Sequence, residues 1–481
     1  MRMNQFTPSL SRSGFQRWPL KWVLEKAEMM HGRSISAGFG LLLAAIFLLS
    51  APGSDVQAGL QPFEGVTSIY EELYGKAKEG VRGPIGHTHY YWDQGLHIVS
   101  PHKNFELKIG GRLLFDAGDI DADDDLQRAF PDLEGPEADF RQLRVYVLGR
   151  IYHAVDFKFD IDFANVREIK DNWFRITKTP LLRPFIFGHQ KEPFSLENLT
   201  SLTNTTFMER ALPTKAFSPG RNIGIGYNKA ALDERMTWAV GGFLNTGSAG
   251  DIGDTRDQIS EANGVNLTAR VTGLPWYADK GERLLHLGLS YSHQFRKEPE
   301  RNLADARYRA RPESFLTDDR LVDTGDLFTD GQDLITPELA VVSGPLSFQG
   351  EYFHAFVDAA EDLQFWGYYI YGSYFLTGEH RSYDTSRGDF SRVRPKKNFN
   401  PREGGWGALE LALRYSYIDL NDGAVRGGKE TDFTAGLNWY LGPEVRLMLN
   451  YIQARVKDRA TPPAVDNGRA SILQGRFQVD F

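Results

Sequence analysis

The chain has 481 residues, enough for about two to four soluble domains, with 41% apolar residues, 13% aromatics, 48 glycines and a net charge of −8. The longest apolar run is the 13 residues 37–49, short of the roughly 18 that a spanning helix needs, so a helical membrane bundle is excluded. The absence of cysteine excludes disulfides, zinc–thiolate centres and thiol nucleophiles, and the acidic balance argues against nucleic acid as a partner.

The run 37–49 follows Arg33 and precedes Val56-Gln57-Ala58, which is the pattern of a signal peptide over 1–58 cleaved before Gly59. A start at Met29 or Met30 would leave a signal of ordinary length and would make 1–28 an over-long gene assignment. Residues 59–103 read as a separate amino-terminal segment, with Val66, Ile69, Leu73 and Ala77 at helical spacing.

From residue 104 onward the chain alternates. Val155, Phe157, Phe159, Ile161 and Phe163 share one parity, and Asp156, Lys158, Asp160 and Asp162 share the other. Period 2 over ten residues is a strand with one apolar and one charged face. The pattern recurs at 105–116, 285–292, 409–417, 432–441 and 473–481. In a soluble sandwich the apolar face would be a core. In an outer-membrane barrel it faces lipid, the polar face lines the lumen, and no globular core is expected. Strands of about ten residues have the spanning length. Tyr415, Tyr417, Trp439 and Tyr440 suit interfacial girdles, and Phe481 ends an alternating strand, so the barrel is the reading taken.

Strands are expected to start near residues 104, 139, 154, 168, 183, 221, 235, 262, 283, 334, 345, 364, 407, 431, 444 and 470. This gives an all-β transmembrane antiparallel barrel of about sixteen strands over 104–481. Short periplasmic turns fall at 151–153, 344–345 and 442–443, and outer loops at 117–138, 191–220, 297–333 and 457–469. Sixteen strands enclose more space than side chains fill, so the lumen is aqueous unless something enters it. Two segments are long enough to narrow it: 191–220, and 378–406 on the short-turn side.

At this point the residues resemble the phosphate-selective porin O and P family. The resemblance lies in 105–112, Gly188-His-Gln-Lys-Glu-Pro-Phe-Ser-Leu-Glu197, Phe207-Met-Glu-Arg210, Ala216-Phe-Ser-Pro-Gly-Arg221, 344–352, 373–379, 406–416 and 438–448. It implies a trimeric sixteen-stranded porin of the bacterial outer membrane whose third outer loop folds into the pore. Phosphate-selecting members carry an Arg-Arg-x-Tyr stretch on the second strand, where this chain has Arg141-Gln142-Leu143-Arg144. They also carry a Lys before a Ser-Ser pair in the pore loop, where this chain has Asn198-Leu-Thr-Ser201-Leu202.

Lumen-parity charges on the seven clearest strands balance at eight basic against eight acidic, so the inserted segments are expected to set selectivity. The anion-binding candidates are Arg112, Arg141, Arg144, Lys158, Lys191, Arg210, Lys215, Arg221, Arg392, Arg394, Lys396 and Lys397. Small anions such as phosphate, outer-membrane lipid, lipopolysaccharide, the barrel assembly machinery acting on Phe481, and two further copies of the chain are the expected partners. A general or oligosaccharide-permeable porin, with Tyr146 and Tyr440 as stacking surfaces, is the alternative. An outer-membrane barrel enzyme is a third reading, but His293 has no assignable serine and no Gly-x-Ser-x-Gly elbow occurs. No cofactor or metal is expected. His87 and His89 have no third ligand beside them, and 119–125 departs from the calcium-loop pattern at Asp124 and Phe130.

Overall fold

The computed structural model describes residues 81–82, 88–164, 168–177, 185–245, 264–296 and 306–481. The signal segment, the helix suggested by Val66 to Ala77, and His87 lie outside the described residues.

Sixteen antiparallel strands close into a barrel. They are β1 (Phe105–Ala122), β2 (Gly135–Ile151), β3 (Val155–Asp162), β4 (Asn172–Ile176), β5 (Phe185–Lys191), β6 (Arg221–Ala231), β7 (Met236–Leu244) and β8 (Gly264–Ala278). They continue as β9 (Arg283–Arg296), β10 (Thr329–Ser343), β11 (Leu346–Ala359), β12 (Leu363–Phe375), β13 (Ala408–Asp422), β14 (Val425–Tyr440), β15 (Val445–Arg459) and β16 (Val465–Asp480). Each pairs with its sequence neighbours, and β16 closes on β1 from Ala470↔Ala122 to Asp480↔Arg112. Closure leaves no unpaired edge in the hydrocarbon, which is the condition for a sheet to cross a membrane. The alternation holds: Phe159, Leu413 and Phe433 face outward, while Asp160, Arg414 and Asp432 face in.

Several strands extend past the positions where alternation marks them. β1 continues to Ala122 and β2 begins at Gly135, so the first loop is 123–134 rather than 117–138. Likewise β15 and β16 leave only 460–464 instead of 457–469, and β10 and β14 begin at Thr329 and Val425. The physical reason is common to all. Beyond the hydrocarbon a strand meets water on both faces, so the apolar parity disappears although the hydrogen-bonded ladder continues.

The expectation of no core fails. A buried apolar cluster fills the lumen beside β10–β16, built from Phe194, Phe207, Leu212 and Phe217 of 192–220, Tyr308, Leu321 and Val322 of 306–328, and wall residues such as Phe353, Phe365 and Tyr371. Each Phe so buried contributes about 2 kcal/mol. The segment 306–328 is thus a third insertion, hidden in the sequence by its charge. Its charges pair in place: Arg307 with Asp323 at 2.6 Å, Arg311 with Asp318, and the buried Glu313 with Arg414.

A loop inside a barrel carries backbone groups that water cannot reach, and each needs a partner. The wall supplies them. Glu351 on β11 accepts the N–H groups of Leu196 and Glu197 at 2.8 and 2.9 Å. Ser290 and Ser416 accept those of Ser195 and Leu212. Arg446 donates to the carbonyls of Thr205 and Thr206, Asn438 to Thr206, Arg414 to Glu209, Arg476 to Met208 and Gln478 to Thr203. Arg414, Arg446 and Arg476, counted from parity as pore charges, are at most 2% exposed. They solvate a loop. Tyr440, expected in a girdle, also points inward and donates to Glu410.

At the seam, Phe481 exchanges backbone hydrogen bonds with Gly111 at 2.9 and 3.0 Å, and Tyr146 lies over Gly110 to donate to the Phe481 carbonyl at 2.7 Å. Below it a hairpin, His89–Trp92 and Leu96–Val99, pairs with 106–109 of β1 and brings Trp92 to 5.5 Å from the Phe481 ring.

Two outcomes test this account. A Cβ on Gly110 would sit 2.4 Å from the Phe481 carbonyl oxygen and 2.3 Å from the Tyr146 ring. Gly110→Val is therefore expected to prevent seam closure, read as loss of the fast-migrating folded band in unheated electrophoresis. Glu351→Ala strands two buried N–H groups at a cost of about 2–4 kcal/mol. It is expected to lower the temperature at which that band disappears and to raise single-channel conductance as 192–220 loosens.

Candidate pore and its charge

The inserted segments leave a cavity of about 370 Å³ on the side of β1–β8. Nine of its lining residues are Arg or Lys and two are Asp. The wall balance expected from parity does not describe this half of the lumen, because few acidic residues are among those that line it.

On β1, Arg112 donates to Asp480 at 3.1 Å and lies over the Tyr146 ring. On β2, Arg144 donates to Asp162 at 2.8 Å. Lys158 of β3 and Arg221 of β6 converge on Asp171, both at 2.7 Å. Asp171 reaches them because the ladder is interrupted between Glu168–Ile169 and β4. All four cations line the cavity.

Lys191 and Arg210 line it too, with a different chemistry. Lys191 donates to the Asn198 and Leu199 carbonyls. Arg210 donates to the carbonyls of Glu197, Asn198 and Thr200 at 3.0, 3.2 and 2.8 Å. Both grip the end of the single helical turn Leu196–Leu199, whose free carbonyls offer partial negative charge only. Neither is held in an ion pair by a carboxylate: Glu197 and Glu209 act on Arg210, and Asp171 and Asp389 on Lys191, only from a longer distance.

Arg141 is placed elsewhere. The β1–β2 register shifts between Leu114 and Phe115, which leaves Arg141 as the extra residue of a bulge and turns it inward beside Gln142. It binds Glu209 through two bonds, 2.6 and 3.1 Å, and stacks on Phe315, away from the cavity. Desolvation would raise the Glu209 carboxyl, but Arg141, Lys215 and Arg476 hold it well below its ordinary value. Lys215 lies 3.7 Å from the same carboxylate. Solvent stripped by the crowded lumen, and repulsion from Arg141 and Arg210, bring it to about 7 despite Glu209, although water still reaches 41% of its side chain.

The segment 378–406 divides in two. Its first half enters the lumen as a small hairpin, Tyr383–Asp384 with Asp389–Phe390. Arg381 donates to Gln349 and lies over Phe390, Tyr383 meets His286 at 2.7 Å, and the Gly388 carbonyl accepts from Arg270. Its second half stays at the short-turn rim. Arg392 is bound to Asp480 and to the Pro443 carbonyl, Lys396 to the Gly378 carbonyl, and Arg394 and Lys397 are exposed. None of these four lines the cavity, whereas Arg387 does.

The charged lining residues absent from the candidates are Asp171, Lys229, Arg270, Arg387 and Asp389. Arg270 shares the inward parity of Asn266, Thr268 and Thr272, so alternation could have found it; Arg387 and Asp171 lie outside regular strand and carry no such signal. The aromatics considered for sugar stacking, Tyr146 and Tyr440, are both inward but nearly covered, at 6% exposure. His293 faces outward, bound to Asp333 at 2.7 Å.

Residues 107–481 match the family described as phosphate-selective porin O and P. An uncharacterized protein of Caulobacter vibrioides is 31% identical over 403 residues, 82% of this chain and 77% of its own. Porin O of Pseudomonas aeruginosa is 26% identical over 422 residues, 80% of this chain and 90% of its own. Among solved structures, the outer membrane channel DcaP of Acinetobacter baumannii is similar at a TM-score of 0.49 and 13% identity, covering 79% of this chain and 99% of that one. The anion-selective porin from Comamonas acidovorans is similar at 0.47 and 12%, covering 78% and 99%. The match over most of the chain, on a closed sixteen-stranded barrel with an open cavity, makes this protein a member of the phosphate-selective porin O and P family, an outer-membrane channel and not an enzyme.

Proposed function

We propose that the pore passes small anions such as phosphate in preference to cations, and that Lys191 and Arg210 set the preference. The observation that carries this reading is that both cations line the cavity while bound to carbonyl oxygens, neither of them in an ion pair with a carboxylate. Arg112, Arg144, Lys158 and Arg221 add donors, each paired with an acid, which for Lys158 and Arg221 is the lining residue Asp171. Arg392, Arg394, Lys396 and Lys397 have a smaller part, since at the rim salt screens them over a Debye length of roughly 8 Å.

Replacing Lys191 and Arg210 together with Gln keeps donors for the helix carbonyls and removes two charges. Each is worth about 1 kcal/mol at about 10 Å in an effective dielectric near 30, so the chloride-to-potassium permeability ratio should fall severalfold for each. Zero-current potentials across a planar bilayer with a salt gradient measure this. Replacing Arg394, Lys396 and Lys397 with Gln should leave the ratio nearly unchanged. A wild-type ratio near one would make the protein a general pore.

We also infer a homotrimer. β3, β4 and β5 have 8, 5 and 7 residues, below the roughly 9–11 that cross a bilayer. Their outward side carries exposed Phe159, Phe163 and Phe174. A low apolar wall suits another copy of the chain better than lipid. Lipopolysaccharide around the remaining wall, and Phe481 as the signal to the assembly machinery, complete the reading. Light scattering in mild detergent is expected to give three chains per particle, and Phe159→Arg with Phe174→Arg to shift it toward one.

A further inference from the structure

The cavity lining carries two chemistries. Arg112, Arg144, Lys158 and Arg221 give it donors. Trp173 on β4 and Pro193, Leu199 and Leu202 of the inserted loop give it apolar groups. Gly226 and Ala239 line it where a larger side chain would narrow it. The volume, about 370 Å³, lies in the range of roughly 300–1,000 Å³ typical of sites for organic ligands.

A site shaped for a bare tetrahedral oxyanion would offer donors on every side, because an oxygen turned toward apolar groups loses its water and gains nothing. Here apolar groups stand among the donors: Trp173 is the cross-strand partner of Lys158. Lys191 lies 3.4 Å from the Leu199 carbonyl, and Arg210 lies 2.8 Å from that of Thr200, so two donors that no carboxylate holds in an ion pair stand beside Leu199, which lines the cavity. A ligand with one charged end and one apolar body matches that arrangement.

We propose that the cavity is a binding site for organic anions, with a carboxylate or phosphate head at Lys191 and Arg210 and a ring-sized apolar body against Leu199, Pro193 and Trp173. This rests on the anion-selective reading above and narrows its substrate class. The charged head draws the molecule to the donors. The apolar groups then add affinity that inorganic phosphate cannot use.

The test uses the purified full-length protein in a planar bilayer. The anion preference of the chloride current is measured first, and then its block by benzoate and by inorganic phosphate at the same pH. Benzoate should block at a concentration about tenfold lower than phosphate. Leu199→Ser should raise the half-blocking concentration of benzoate about fivefold and shift that of phosphate far less. Trp173→Ala, on a different element, should act in the same direction and guards against a folding defect peculiar to the loop. Phosphate blocking as well as benzoate, or both anions shifting alike in the variants, would overturn the organic-anion site while leaving anion selectivity intact. A pore without anion preference would overturn both.

Discussion

The backbone of 192–220 has to be solvated without water, and most of the lumen is organised by that requirement. Each N–H or carbonyl left isolated among Phe194, Phe207 and Phe217 would offset about as much as one buried phenylalanine contributes. The inner faces of β9, β11, β13, β14, β15 and β16 therefore carry serine, carboxylate, amide and guanidinium groups aimed at successive peptide units. Arg414 and Arg446 do this while stacked on Phe207 and Tyr440, so the same side chains satisfy backbone oxygens and pack as flat apolar surfaces.

Anchoring the loop to one side leaves the other side open. The half beside β10–β16 is packed around the apolar cluster; the half beside β1–β8 keeps the cavity. Charge follows the same division. In the packed half Arg414, Arg446 and Arg476 are spent on carboxylates and peptide carbonyls. In the open half Arg112, Arg144 and Arg221 line the cavity with their paired acids beside them. The helical turn Leu196–Leu199 joins the two halves: its first N–H groups are bound by Glu351 in the packed half, and its last carbonyls hold Lys191 and Arg210 at the cavity.

Much of the barrel was legible because lipid imposes a parity that residues such as Val155 to Phe163 display without ambiguity. Legibility stopped where that pressure stops. Asp119 to Ala122 and Val425 to Glu430 stand in strands that rise into water, and nothing in their composition separates them from loop. The inner face was harder still. Parity says that Arg414, Arg446 and Arg476 point inward, but not that a peptide thirty residues long waits there to consume their charge. Lys191, Arg210 and Arg221 were named from the loop and strand they occupy, while Arg141 was named from its place in a motif and is diverted by a bulge that only the register reveals. The insertion 306–328 was unreadable because its charges are satisfied by one another and by Arg414, and an internally neutralised segment has the composition of a solvated one.

Asp480 bears on the order of events during folding. It belongs to the last strand, yet its carboxylate binds Arg112 from the first strand and Arg392 from the rim segment. The first of these partners is 368 residues away and the second 88. The two contacts differ in what they require. The hairpin with β15 places Asp480 through the Glu444 carbonyl, so Arg392 can bind it while the sheet is still open. Arg112 reaches it only when the final strand has found the first. Closure therefore delivers a second cation to a carboxylate that the rim segment can already hold, and the seam and the rim share one anchor.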